Sequence, residues 1–220
     1  MFDQKIMGML LEGIRDTLYM TLVSTLLGYA VGLPLGIVLN VTRDGGLKPN
    51  KIVYRILDIF CNIIRSVPFL ILLILLIPFT RALVGQSYGS TATIVPLVVC
   101  AAPYIARMVE SALNEVDAGV IEAARAMGAS NMQIILKVLM VEAKTSLVTG
   151  ATITTGVLLG YSAMSGTVGG GGLGDIAVRY GYYRWQTDIM IVTVALLIII
   201  FQIIQNLGMK LATGIDHRKK

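Results

Sequence analysis

Charge is what this sequence has least of. Of its 220 residues, 14% are Asp, Glu, Lys or Arg, against about a quarter in soluble globular domains. So few charges cannot cover a water-facing surface of this size, which excludes an ordinary soluble domain. There are two cysteines, Cys61 and Cys100, both in apolar runs. That excludes a disulfide-stapled scaffold. With one His, no Cys/His spacing suits a metal, and no residue arrangement marks an activated nucleophile. Disorder is excluded as well, because 55% of residues are hydrophobic and the mean hydropathy is +0.78. The class that remains is an integral membrane protein.

Charge-free runs locate the spans. Uncharged stretches of 26, 15, 25, 30 and 21 residues separate Asp16 from Arg43, Arg65 from Arg81, Arg81 from Arg107, Lys144 from Asp175, and Asp188 from Lys210. A helix crossing the hydrocarbon needs about 20 apolar residues. Four runs pass directly. The second passes if Ile56–Ile64, apolar apart from Asp58 and Asn62, precedes it in one helix kinked at Pro68. The expectation is an all-α polytopic membrane protein with one domain over residues 1–220. Its five transmembrane helices are about 17–41, 56–80, 91–109, 145–164 and 188–209. Barrel strands alternate in polarity, and these runs do not. The mixed charges of the N-terminus make no basic n-region, so the first helix is expected to serve as an uncleaved insertion signal.

Orientation follows from Lys and Arg. The 42–55 loop, the 107–144 loop and the C-terminal tail carry twelve, including Arg218, Lys219 and Lys220. The other side carries five: Lys5, Arg15, Arg81, Arg179 and Arg184. The count places the N-terminus outside and the C-terminus inside. It also makes the net charge of +5 a matter of topology, with no nucleic-acid partner. The one charge read as buried within a span is Arg65. It reads as a snorkelling or helix-end residue, as a partner for carbonyls near Pro68, or as a substrate contact.

Gly28, Gly32 and Gly36 repeat every four residues, as do Gly156 and Gly160. Such spacing allows close helix approach, within one subunit or between two. The membrane cores contain no Asp, Glu or His that an ion-coupled carrier would commonly use. The 110–144 segment is the richest in signals. Asp117 fits an N-cap, Val120–Met127 a short helix, Gly128 a C′ position, and Ser130 with Gln133 a capping box. This gives two short helices with a bend at Gly128, the first lined with small alanines. Such a helix can lie in a partner's groove.

Glu122-Ala123-Ala124, three residues, then Gly128 resembles the EAA loop of ATP-binding cassette importer permeases. That family's pattern continues as Ile-x-Leu-Pro, where this chain has Val138-Leu139-Met140-Val141 and lacks the proline. The resemblance implies that Glu122, Ala123, Ala124 and Gly128 dock on a cytoplasmic ATPase. A second signature is the glycine loop Gly169, Gly170, Gly171 and Gly172, then Leu173, Gly174 and Asp175. No Lys-Ser/Thr follows, so it is not a P-loop. Its glycines suit a tight, non-helical turn back between the fourth and fifth spans. This segment, Arg65-Ser66-Val67-Pro68 and the overall layout resemble the permease subunit of bacterial methionine importers over nearly the whole chain.

The resemblance implies a homodimer in the bacterial inner membrane, with lipid around it. Two cytoplasmic ATPase subunits would bind ATP and Mg, and an external methionine-binding lipoprotein would deliver cargo. No cofactor is expected in this chain, and no catalysis. The expected function is methionine import (L-, with D- as an option) by alternating access. An importer of another amino acid or osmolyte is one alternative, and a secondary transporter or channel is another. The expected gate is Tyr161, Ser162 and Met164, just before the glycine loop, with ordinary packing as the competing reading. Tyr182, Tyr183, Arg184 and Trp185 could meet the binding protein or form an interfacial aromatic belt.

Overall fold

The computed structural model describes residues 4–215, and every regular element among them is helical. Helix α1 spans Gln4–Thr42. It begins well before residue 17 because Arg15 pairs with Glu12 (3.7 Å) and Asp16 (3.1 Å) without leaving the helix. Charge there marks the edge of the hydrocarbon and not the end of the helix. Helix α2 spans Lys51–Ser66. The Asn50 side chain caps it, accepting from the N–H groups of Ile52 (3.2 Å) and Val53 (3.1 Å).

The single kinked span expected over 56–80 is instead broken into three pieces. After α2 come α3 (Phe69–Leu75) and α4 (Ile77–Val84). Helices α2 and α3 meet at 101°. Val67 is extended (φ −84°, ψ 126°), as the residue before a proline tends to be. Pro68 brings no N–H to continue the ladder. Pro78, in the first turn of α4, marks the second break.

Helix α5 spans Ser90–Asn114 and α6 spans Ala118–Ala126. A turn, α7 (Asn131–Gln133), passes through a π-helical stretch (Ile134–Leu139) into α8 (Met140–Glu142). Then follow α9 (Lys144–Ser165), α10 (Gly172–Ile176) with its π-helical extension (Ala177–Tyr182), and α11 (Thr187–Ile215). Four helices are long and apolar enough to cross a membrane, or five when the bent pair counts as one span. The polytopic all-α architecture is therefore the one expected.

The α1–α5 seam holds the centre. Gly28, Gly32 and Gly36 are buried along one face of α1. A Cβ on Gly32 would lie 2.6 Å from the Ala102 carbonyl oxygen, and one on Gly36 would lie 2.6 Å from the Val109 Cβ. The backbones can approach this closely only because no side chain intervenes. The second glycine pair divides. Gly156 receives the Phe201 ring, with Cε2 2.8 Å from a built Cβ, while Gly160 faces open space.

At one end of this seam α5 is also tied to α2. The Arg107 guanidinium donates to Glu110 Oε2 (2.7 Å) and Asn62 Oδ1 (3.1 Å), and pairs with Asp58. The Tyr54 hydroxyl donates to Glu110 Oε1 (3.1 Å). Glu110 is buried, which is tolerable for a carboxylate only with such partners. These pairings keep α5 helical past residue 109. Beside them Asn40 Nδ2 donates to Asn114 Oδ1 (2.7 Å). At the opposite end the Leu173 N–H donates to Thr17 Oγ1 (2.9 Å), and the Gly89 N–H donates to the Gly169 carbonyl (2.9 Å). The Lys/Arg-rich segments around 43–55 and 110–144 thus gather at one end, and the glycine loop sits at the other. Arg218, Lys219 and Lys220, counted with the first group, lie outside the described residues.

The seam yields a direct test. Gly36→Val drives a branched side chain into the Val109 side chain and the Ala106 carbonyl. It should destabilise the fold by at least the about 1–3 kcal/mol typical of overpacking. Thermal unfolding in detergent should show a clear drop in midpoint. Gly8→Ala, where a Cβ meets nothing within 4 Å, should show no drop.

Candidate functional site

The segment between α5 and α9 folds into a capped elbow. Asp117 starts α6 by accepting from the Gly119 N–H (2.8 Å). Alanines and Glu122 continue it, all good helix formers. The helix ends in a Schellman motif. The Gly128 N–H reaches the Arg125 carbonyl (2.9 Å) and the Ala129 N–H reaches the Ala124 carbonyl (3.1 Å). Gly128 lies at φ +82°, the left-handed region that glycine enters without steric cost. Ser130 and Gln133 then form the complete capping box. The Ser130 N–H donates to Gln133 Oε1 (2.8 Å) and the Gln133 N–H to Ser130 Oγ (3.4 Å). Val141, where the resembling family has proline, lies inside α8, so the helix runs on to Ala143 without a stop.

The elbow has two unlike sides. Ala124, Ile134, Leu139 and Ala143 are buried in the same core cluster as Ile105, Val109 and Leu113 of α5. Glu122, Ala123 and Gly128 are exposed. So are Val120 and Met127, Met127 to 82%. Val120, Ala123 and Met127 follow helical spacing and make an apolar stripe facing outward. The two alanines of the motif therefore separate. Ala123 is free for a contact, and Ala124 packs the elbow onto the bundle. The sequence pattern alone treats them alike, because both are small and apolar.

At the other end the glycine loop forms a hairpin. Gly169, Gly171 and Gly172 all have positive φ (79°, 83° and 75°). Gly174 lies against the Ala163 backbone and Gly166 against Asp175, so tightly that a Cβ on either would meet main-chain atoms. Gly170 rests on Ser165, and its carbonyl accepts from the Thr93 hydroxyl (3.3 Å). The expected turn back is realised as this hairpin, with α10 returning along the end of α9. Asp175, buried at the start of α10, pairs with Arg179 one turn on. That pair was not legible as a pair from the sequence, although i,i+4 spacing is its signal.

The three gate residues do not share one surface. Met164 is 46% exposed. Tyr161 is half-buried and stacks on Phe69 of α3, with ring centroids 4.6 Å apart and planes within 5°. Ser162 is buried, and its hydroxyl donates to the Leu159 carbonyl of its own helix (2.8 Å). Ser162 is thus engaged inside α9, while Met164 projects from it. Tyr182, Tyr183 and Trp185 are exposed beyond α10, and Arg184 lies over the Tyr180 ring at 4.5 Å.

The elbow and the hairpin stand at opposite ends of a bundle of spans, and this arrangement has known relatives. Residues 32–211 match the family described as "Binding-protein-dependent transport system inner membrane component". The chain belongs to that family. It is 50% identical over 210 residues to the "Probable D-methionine transport system permease protein MetI" of Vibrio cholerae, covering 96% of this chain and 93% of the relative. It is 54% identical over 164 residues to the "D-methionine transport system permease protein MetI" of Escherichia coli K12, covering 74% of this chain and 76% of the relative. Among solved structures it is similar to a chain of the MetNI methionine ABC transporter in an inward-facing conformation. The TM-score there is 0.97 at 49% identity, covering 98% of this chain and all of that one. Membership makes this chain an inner membrane component of a transport system.

Gly128 offers the test of the elbow's local geometry. Gly128→Ala places a Cβ in the left-handed region, which costs about 1–2 kcal/mol. The bundle should stay folded by circular dichroism, and hydrogen exchange should rise at the amides of Ala129 and Gly128. A variant with unchanged exchange there would contradict the Schellman assignment.

Proposed function

We propose that this chain is the membrane-spanning subunit of an ATP-driven importer of methionine. Two copies would form the pathway, each docked to a cytoplasmic ATPase subunit that binds ATP and Mg. An external methionine-binding lipoprotein would deliver cargo at the hairpin end. The observation that carries the reading is the two-sided elbow, buried on the bundle side and bare on the other, in a chain whose relatives at 50% and 54% identity are named as methionine transport permeases. The Lys/Arg distribution supports N-terminus outside, C-terminus inside and the elbow in the cytoplasm. The relatives' names also make this a pathway subunit and not an enzyme.

In this reading Glu122, Ala123 and Gly128 meet the ATPase directly, and Ala124 carries the contact inward. The ATPase would move α6 between two positions. Nucleotide would favour one position by binding it more tightly, which shifts the pathway between outward and inward access. The glycine hairpin would hold the outer ends of α1, α5 and α9 together. Met164, projecting from α9 just before the hairpin, would help to close the path, with Tyr161 and Ser162 fixing that helix end from within.

The basic test is ATP-dependent uptake of labelled methionine by vesicles holding this chain with its ATPase and binding protein. Absence of uptake would overturn the reading. The alanines refine it. Ala123→Asp places a charge on the exposed stripe and should abolish co-purification with the ATPase, while the chain itself stays folded. Ala124→Asp buries an unpaired charge in the core, so it should lower the yield of folded chain, with or without ATPase. Equal behaviour of the two variants would contradict the docking face assigned here.

A further inference from the structure

One residue singled out from the sequence has no role in the elbow, the seam or the hairpin. Arg65 sits in the last turn of α2, just before the break at Pro68. Of the explanations its sequence position allows, bonding to carbonyls near Pro68 is not what the structure displays. Arg65 is exposed at the helix end, and its side chain has no hydrogen bond or ion pair among the described residues. Arg107, by contrast, is held by Asp58 and Glu110. Arg65 lines a cavity of about 230 Å³ together with Cys100 and Tyr104 of α5 and Thr154, Leu158 and Tyr161 of α9. Cys100, Tyr104 and Thr154 fall near the middle of their helices, away from the elbow, while Tyr161 lies toward the hairpin end of α9. The cavity lies below the about 300–1,000 Å³ of drug-sized sites, a size suited to one small solute.

Building on the proposed import of methionine, we propose that this cavity is a cargo-binding site in which Arg65 holds the substrate's α-carboxylate. An amino acid zwitterion leaving water must keep its carboxylate compensated, and an unpaired guanidinium supplies two parallel donors for that purpose. The rest of the lining suits the remainder of the molecule. Leu158 and the Cys100 thiol offer soft apolar contact for an uncharged side chain, and the ring of Tyr104 can receive the ammonium group, Tyr161 being stacked on Phe69. No carboxylate lines the cavity, so a cationic side chain would meet Arg65 with nothing to balance it. The broken span gives this site its shape. The 101° turn after Ser66 leaves Arg65 in the last turn of α2 and redirects α3, while Val67 at the break joins the cavity lining.

Cys100 is half-buried in this cavity with a free thiol, and makes the site testable without relying on transport. The experiment uses the complete transporter carrying Cys61→Ala, in vesicles, and follows alkylation of Cys100 by N-ethylmaleimide. Methionine should slow the labelling. Methionine methyl ester, which lacks the carboxylate charge, and lysine should not. In Arg65→Gln the methionine concentration giving half-protection should rise roughly tenfold or more, the size expected for losing a charge-assisted hydrogen bond. Arg65→Lys should restore part of it. If Arg65→Gln does not assemble, the ester comparison and Arg65→Lys decide alone. Uptake is measured in the same vesicles. Uptake without protection, or equal protection by the ester, overturns the cavity assignment and leaves the importer reading intact. Absence of uptake in the parent protein overturns the importer reading itself.

Discussion

The close approach of α1 and α5 is the constraint on which the rest of the molecule is built. It exists because three glycines, one turn apart, remove the side chains that would hold the two backbones apart. In lipid there is little hydrophobic drive between helices, so association rests on such contact together with polar bonds. Once α5 is fixed against α1, its other faces receive α2, α3, α4 and α9. At one end Asn40 and Asn114 close the seam with a hydrogen bond. At the other, Gly89 just before α5, Thr93 of α5 and Thr17 of α1 take up the backbone of the glycine hairpin. Both candidate functional regions are thus anchored to the same pair of helices.

Much of this was legible beforehand, for reasons that differ by element. The spans were visible because hydrocarbon tolerates few charges, so long uncharged runs are informative in a way that short apolar runs in soluble proteins are not. The elbow was visible because helix ends demand particular side chains. Asp117, Gly128, Ser130 and Gln133 each sit where capping chemistry needs them. The Pro68 break was under-read. Proline signals that a helix is interrupted, but whether the result is a kink or a 101° turn depends on what the following segment packs against. Here Phe69 and Leu73 are drawn into the core beside Tyr161. The Arg107 network was not legible either. Asp58 and Asn62 share a face of α2, and Arg107 and Glu110 share a face of α5, yet nothing local says that the two faces meet. Both π-helical stretches also arose without any signal recognised in the residues.

The glycines show how one residue type serves three different ends. Gly28, Gly32 and Gly36 act by lacking volume inside a regular helix. Gly128, Gly169, Gly171 and Gly172 act by reaching positive φ, and stop or turn the chain. Gly166, Gly170 and Gly174 do neither in isolation; they let the hairpin lie against the end of α9 and the backbone it crosses. Spacing in the sequence separates only the first group, since a four-residue repeat is a helical signal and a run of four glycines is not. The division between Gly156, which receives Phe201, and Gly160, which faces open space, marks the limit of that signal. Both fit the repeat, and only the partner helix decides which is used.

The elbow's two-sidedness bears on how force would pass through the chain. A loop that touched the bundle only at its two ends would absorb a push by bending. This one shares a core with α5, since Val116, Ala124, Ile134, Leu139 and Ala143 pack in one cluster with Ile105, Val109 and Leu113. Protein interiors are dense and resist compression, so a displacement of α6 is delivered to α5 and to the start of α9. Helix α2 follows, because Arg107 ties it to α5 through Asp58 and Glu110. Helix α3 is reached by a different route, since Phe69 and Leu73 pack in the same core cluster, and the extended backbone at Val67 leaves its angle to α2 free to change. Motion arriving from the elbow would therefore change the relation between the two halves of the broken span. That junction lies where Arg65 lines the cavity with residues of α5 and α9, so a change imposed from below would reach that cavity.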